Sequence, residues 1–437
     1  MNSTISKLVI GFAASTALAT AAQAQRDYGT VSTQTKQPQP QLPDQAQEKP
    51  AKGGATVTIG TRKTKISAEF AKAYNDLLAA VNAKDAATIP GKVAAAHAAA
   101  KSGDEHYLAS QLQLKAAAET NNEAEIGTAL EGMLASDALP ADQVSRAYLS
   151  LGKVRYNQKQ FAQAAAAFEK VVAAEPNNQE ALSLLASSQS LAGNSAGALA
   201  LLQKAIAAAS AGGAKAPEDL YKRAVSLAYK ANSPASVELS REWVSKYPSA
   251  QNWSDAIRIY RNINKVDDTT TLDLLRLARA VDALKGEEDY DRYAYAALTK
   301  GYPGEAKTIL EEGIKAGAVD PKKTPFKEEI AMANQKSAGE AATLESAAKT
   351  ALAASTAKPA LSTGDLLYGY GQYAKAAELY RAALKKTGAD ASLINLHLGM
   401  ALARSGDKAG ATAALSAVTG ARADVAKYWL AYLATQA

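Results

Sequence analysis

The search for chemistry in this 437-residue chain starts from its few reactive side chains. It has three histidines, His97, His106 and His397, which stand far apart, and no HExxH or paired-histidine spacing that could hold a metal. His106 follows Asp104-Glu105 where a hairpin turn is expected, so it reads as an exposed turn residue. His397 lies within a repeated helix and reads as a packing or locally hydrogen-bonded group. The absence of cysteine excludes disulfides, thiolate zinc sites and cysteine nucleophiles. Glu287-Glu288 and Glu311-Glu312 are carboxylate pairs, but adjacent residues on a helix point apart, so neither pair shares a site. Ala211-Gly212-Gly213 lacks the Lys-Ser/Thr and the preceding strand of a phosphate loop, and there is no GxSxG elbow. The expectation is a protein with no cofactor and no catalytic or metal site, not an enzyme. An enzyme with an unrecognised site remains the weakest alternative.

The elements that would position any functional surface are helical. Alanine makes up about a quarter of the chain and aromatics 6%, a composition that favours closely packed helices over sheet. The net charge of +6 is spread along the chain, without a Lys/Arg run that would mark a nucleic-acid partner.

Residues 1–24 have the build of a secretory signal peptide. Lys7 supplies the positive start, Leu8 to Ala22 a stretch too short to span a bilayer, and Ala22-Gln23-Ala24 the small-x-small cleavage pattern. The expectation is a periplasmic or secreted protein of a Gram-negative bacterium, with no stable transmembrane segment after cleavage. Residues 25–65 are rich in Gln, Pro, Thr, Lys and Gly, and read as a disordered tether.

From residue 66 to 437 a period of 34–35 residues takes over. Its signature is a small residue, a second small residue twelve positions on, and a bulky one four beyond that. The clearest copy runs Tyr148-x-x-Leu151-Gly152, then Ala164, Phe168 and Pro176. Others follow at Leu185-Ala186, Ala198 and Leu202; at Gly364, Ala376 and Tyr380; and at Leu398-Gly399, Ala411 and Leu415. The anchors Ala224, Ala294 and Gly364 are two periods apart, so a degenerate unit is expected in each gap. The pattern is strongest at 145–210 and 360–418. It resembles the tetratricopeptide repeat, with Tyr148 in the slot usually held by tryptophan. The resemblance implies an all-α, right-handed α-solenoid of stacked helical hairpins, ending in a capping helix over 423–437.

In that family the first helix of each hairpin lines a concave groove. The resemblance therefore implies a groove lined by Arg146, Leu149, Lys153, Tyr156, Tyr221, Tyr229 and Tyr295, holding a protein or peptide partner. The family's carboxylate clamp is incomplete: Arg146, Lys153 and Asn157 are followed by Ser183 and Ser187 in the next unit. The function expected is that of an exported protein–protein interaction scaffold; the alternative is an accessory subunit of an envelope machine for polysaccharide export, outer-membrane assembly or cell-wall remodelling.

Overall fold

The computed structural model describes residues 56–211 and 213–436. The expected signal peptide and residues 25–55 of the expected tether lie outside the described residues. Residues 56–65 depart from the tether reading. They form an antiparallel hairpin of β1 (Thr56–Ile59) and β2 (Arg62–Lys65). Thr and Val suit extended backbone, and Gly60 takes the left-handed conformation (φ 59°) in the two-residue turn. Ile59 and Ile66 enter the core, and Arg62 is paired with Asp104 through two hydrogen bonds of 2.8 and 2.5 Å.

The rest is helical. The chain divides by contact after Leu227, so the two units are described separately. The first holds α1 (Ala68–Asn82), α2 (Ile89–Ala99), α3 (Gly103–Glu119), α4 (Glu123–Ala135), α5 (Ala141–Asn157), α6 (Phe161–Ala174), α7 (Gln179–Leu191) and α8 (Ser195–Ser210). The boundary falls within α9 (Glu218–Lys230). The second unit continues with α10 (Ala235–Lys246), α11 (Ala250–Ile263), α12 (Asp268–Ala280), α13 (Gly286–Lys300), α14 (Pro303–Lys315), α15 (Phe326–Ser337) and α16 (Glu340–Ala353). It ends with α17 (Ala357–Gly369), α18 (Tyr373–Ala383), α19 (Ala391–Ser405), α20 (Lys408–Ser416) and α21 (Ala423–Thr435). Among the described residues, side chains at Ser67, Ser102, Asn122, Asn178, Asn194, Ser249, Asp267, Asp390 and Asp407 cap helix N-termini. Each satisfies a backbone N–H that would otherwise have no partner. The gaps between the repeat anchors hold the helix pairs α11–α12 and α15–α16, where the degenerate units were expected.

The spacing rule has a direct physical meaning. A methyl group added to Gly152 would lie 2.5 Å from the Phe168 ring, one on Gly364 2.6 Å from Tyr380, and one on Gly399 2.4 Å from Leu415. In each hairpin the small residue of the first helix receives the bulky residue of the second, which lets the helices approach closely.

Within the second unit the helices do more than stack on their sequence neighbours. α14 packs directly on α17, bypassing α15 and α16. α21 packs on α20 as a cap would, but also on α10 and α12. Its Tyr428 hydroxyl lies 2.9 Å from Ser240 Oγ and donates to the Val237 carbonyl at 3.1 Å. One apolar core consequently runs from Val237 through Leu277, Leu367 and Ile394 to Trp429.

Candidate functional site

In the first unit, the first helices α5, α7 and α9 are tied together along one face. Lys153 Nζ reaches Glu180 at 2.6 Å. Arg223 of α9 donates to Ser183 Oγ at 2.5 Å and to the Ser183 carbonyl at 3.0 Å, and also bonds Ser187. Asp219 lies 3.6 Å from the Arg223 guanidinium. Burial pushes the Asp219 carboxyl up, with Arg223 pulling the other way. Ser183 and Ser187, which stand where a carboxylate clamp would need donors, are thus acceptors for an arginine of this same chain.

The expected groove residues divide by environment. Arg146 is exposed at the start of the stripe, while Leu149 is half-buried against Phe168 and Leu185. Tyr156 is half-buried, edge-on to Phe161 with ring centroids 5.5 Å apart. Its hydroxyl bonds Ser187, and burial, more than these neighbours, sets its pKa, which is raised. Tyr221 is fully buried, at 0% exposure, so it belongs to the core and offers nothing to a partner. Its assignment to the groove is corrected: an aromatic ring one turn from Ala224 on α9 is used for packing. In the second unit Tyr229 is half-buried and accepts a hydrogen bond from Asn262 at 2.6 Å, whereas Tyr295 stands 66% exposed.

The interior of the second unit holds a constellation that spacing did not reveal. Arg276 of α12 donates to Glu305 of α14 at 2.9 and 2.7 Å and lies 3.4 Å from Asp273. Its guanidinium lies over the rings of Tyr368 and Tyr302, at 4.8 and 5.5 Å from their centroids. His397 of α19, only 4% exposed, places Nδ1 2.7 Å from Asp365 of α17 and Nε2 3.2 Å from Asp273. Burial alone would lower its pKa, but Asp365 and Asp273 outweigh that and raise it to about 10. Burial likewise works against the Arg276 charge, and Glu305, Asp365 and Asp273 hold it firmly protonated. Two cations thus face three carboxylates. Neutral hydroxyls solvate the carboxylates: Tyr293 donates to Glu305 at 2.8 Å, and Tyr302 and Tyr380 donate to Asp365 at 2.9 and 2.7 Å. Asp273, Arg276, Glu305 and Asp365 are each at most 3% exposed, so no substrate reaches them. Their chemistry is structural, and His397 joins three helices rather than packing locally. A signal was present in the sequence: Asp273 and Arg276 stand in Leu272-Asp-Leu-Leu-Arg-Leu277, where four leucines in six residues reach round the helix, and that stretch is buried on every side.

The remaining candidates sit apart from these networks. His97 Nε2 lies 3.1 Å from Gln113 Oε1, and its ring stacks on the exposed His106, centroids 6.2 Å apart. Glu287 pairs with Lys323, Glu288 with Arg292, Glu311 with Lys307 and Glu312 with Arg279, so all four carboxylates are neutralised. Among the described residues no cluster of three or more His, Asp and Glu side chains could hold a metal ion, and no helix is long and apolar enough to cross a membrane.

The tetratricopeptide repeat profile matches residues 149–214 and 361–435, the two stretches where the spacing is cleanest. The matched stretches fall one in each unit. No curated protein matches the sequence. A solved tetratricopeptide repeat protein from Parabacteroides merdae ATCC 43184 is similar over 76% of this chain and 99% of its own, at 10% identity and a TM-score of 0.28. A structure of Naa15/Naa10 bound to HypK-THB is similar over 79% of this chain and 62% of that one, at 13% identity and a TM-score of 0.36.

Proposed function

We propose that the chain is an exported, non-catalytic interaction scaffold that holds a segment of a partner protein against the first-helix face of its first unit. The observation that carries this reading is the α5 stripe. Arg146, Leu149, Lys153 and Tyr156 share one side of the helix, with the guanidinium exposed and the Tyr156 ring half-buried. The tetratricopeptide repeats over 149–214 support it, since stacked hairpins build extended binding faces. Lys153 is neutralised by Glu180, and Arg223 lies beside Asp219. The favoured partner is therefore a mixed polar and aromatic segment that meets Arg146, not a strongly acidic one. Export to the periplasm or beyond is supported by Lys7, the short apolar stretch and Ala22-Gln23-Ala24. The Gln/Pro-rich residues that follow favour a second reading, an accessory subunit of an envelope machine reached through that segment.

Crosslinking from position 146 in the native envelope, followed by identification of the captured protein, tests the scaffold. Arg146→Glu should reduce capture by tenfold or so without moving the melting midpoint. Undiminished capture would remove the α5 face from the proposal. Mass measurement of the mature N-terminus tests export, with Gln25 the expected first residue and Met1 the result that would sink it.

A further inference from the structure

The α15–α16 pair stands outside the close packing that joins its neighbours. α14 and α17 meet without it: a methyl on Gly304 would lie 2.2 Å from Tyr370, and one on Gly369 2.7 Å from Glu305 Cβ. α15 docks on α13 and α14 through Phe326, Ile330 and Ala333. α16 docks on α17 and α18 and buries only Leu344 and Ala351. The two helices touch each other sparsely, and Gly339, with φ at 81°, separates them.

In the α15 contact sits a carboxylate that has no reason to be there for stability. Glu329 is 8% exposed, and its Oε2 is buried without a hydrogen-bond partner. The charge acting on it from α13 is Asp291, of the same sign. The other acids of α13 are occupied elsewhere: Glu287 by Lys323, Glu288 by Arg292, and Asp289 by the Lys285 backbone. On α14, Lys307 is paired with Glu311 and Glu312 with Arg279, while Lys315 is exposed. On α15 itself Lys327, Glu328 and Lys336 face solvent. Among the described residues no cation is paired with Glu329.

We propose that α15 is a pH-sensitive flap, docked on α13 and α14 while Glu329 is protonated and released as Glu329 ionises, leaving the α14–α17 contact closed. Burial first, and Asp291 second, push this carboxyl from 4.5 up to about 7. A raised acid favours the docked state fully below the unfolded value of 4.5, and the advantage is lost as pH rises to about 7 and above. Full ionisation would weaken docking by up to about 300-fold. Release uncovers Phe326 and the apolar surface of α14 beneath it.

Hydrogen exchange of the full chain at pH 6 and pH 8, corrected for the intrinsic rate, tests the proposal. Protection of amides 326–337 should fall by about tenfold, with α17 unchanged. Glu329→Gln should stay protected at both pH values. Asp291→Asn should move the fall to lower pH, because it removes one of the two causes of the raised carboxyl. Constant protection of α15 in the native chain, or an equal fall in Glu329→Gln, would overturn it.

Discussion

The two units are made of the same helical hairpin and differ in what they do with its inner face. In the first unit the first helices α5, α7 and α9 are laced by Lys153–Glu180 and by Arg223 to Ser183 and Ser187, but Arg146 and part of Tyr156 stay in solvent. In the second, Arg276, Glu305, Asp365 and His397 fill the interior, and α21 joins the last hairpin to α10. A repeat whose inner face is partly solvated keeps a surface for a partner. One whose inner face is closed on its own charges has used that surface to fix its own geometry. Small packing residues set the period in both, so the period alone does not reveal which use is made.

All three tryptophans, Trp243, Trp253 and Trp429, lie in the second unit. Tryptophan fluorescence therefore reads that unit, while circular dichroism reads both. The largest effect is expected from Arg276→Met. It leaves Asp273, Glu305 and Asp365 buried with one cation fewer, and should cost about 3–5 kcal/mol. The fluorescence transition should drop steeply in denaturant while the part of the dichroism belonging to the first unit stays put. A small shift would mean that water enters the centre, and the contrast between the units would fail.

The same centre should respond to alkali. His397 has its pKa raised from 6.5 to about 10. Its contribution is complete below 6.5 and is lost as pH rises through about 10, on the order of a few kcal/mol. The fluorescence midpoint should fall between pH 7.5 and 10. In His397→Gln, which starts less stable, that slope should be absent; a slope of equal size would assign it to other groups.

Gly152→Leu probes the other unit. With the Phe168 ring 2.5 Å from the added carbon, overpacking should cost about 1–3 kcal/mol. The loss should be visible by dichroism, with the tryptophan transition unmoved.

What the sequence could reveal follows from the range of each interaction. The pairing of Gly152 with Phe168, Gly364 with Tyr380 and Gly399 with Leu415 is contained in one hairpin, so a fixed spacing exposes it. The strand pair at 56–65 is also local, but its Thr, Lys and Arg content is shared with the tether composition that precedes it. The alternation in Thr56-Val-Thr-Ile59 before Gly60 is what distinguishes it. The central charges are different. Asp273, Arg276, Glu305, Asp365 and His397 come from four helices far apart in the chain, and no periodicity predicts their meeting. Val225 and Tyr295 show a further limit: each stands one residue after its repeat anchor, Ala224 or Ala294, yet Val225 is buried and Tyr295 exposed.

The smallest effect, and the sharpest test of how the second unit is closed, is Tyr428→Phe. The ring would stay, packed edge-on against Tyr260 with centroids 5.7 Å apart. Only the hydroxyl that meets Ser240 Oγ and the Val237 carbonyl would go. Ser240 keeps a partner, since its own hydroxyl donates to Val237 at 3.0 Å, so no buried group is orphaned. The loss should be about 1 kcal/mol, roughly a fivefold change in the local opening equilibrium. If α21 were only a cap on α20, that loss would appear in hydrogen exchange of α20 and α21 alone. Because its hydroxyl reaches α10, amides of α10 and α21 should lose protection together, and Ser240→Ala should be non-additive with it. Independent behaviour of α10 would show that the Tyr428 hydroxyl does not couple it to α21.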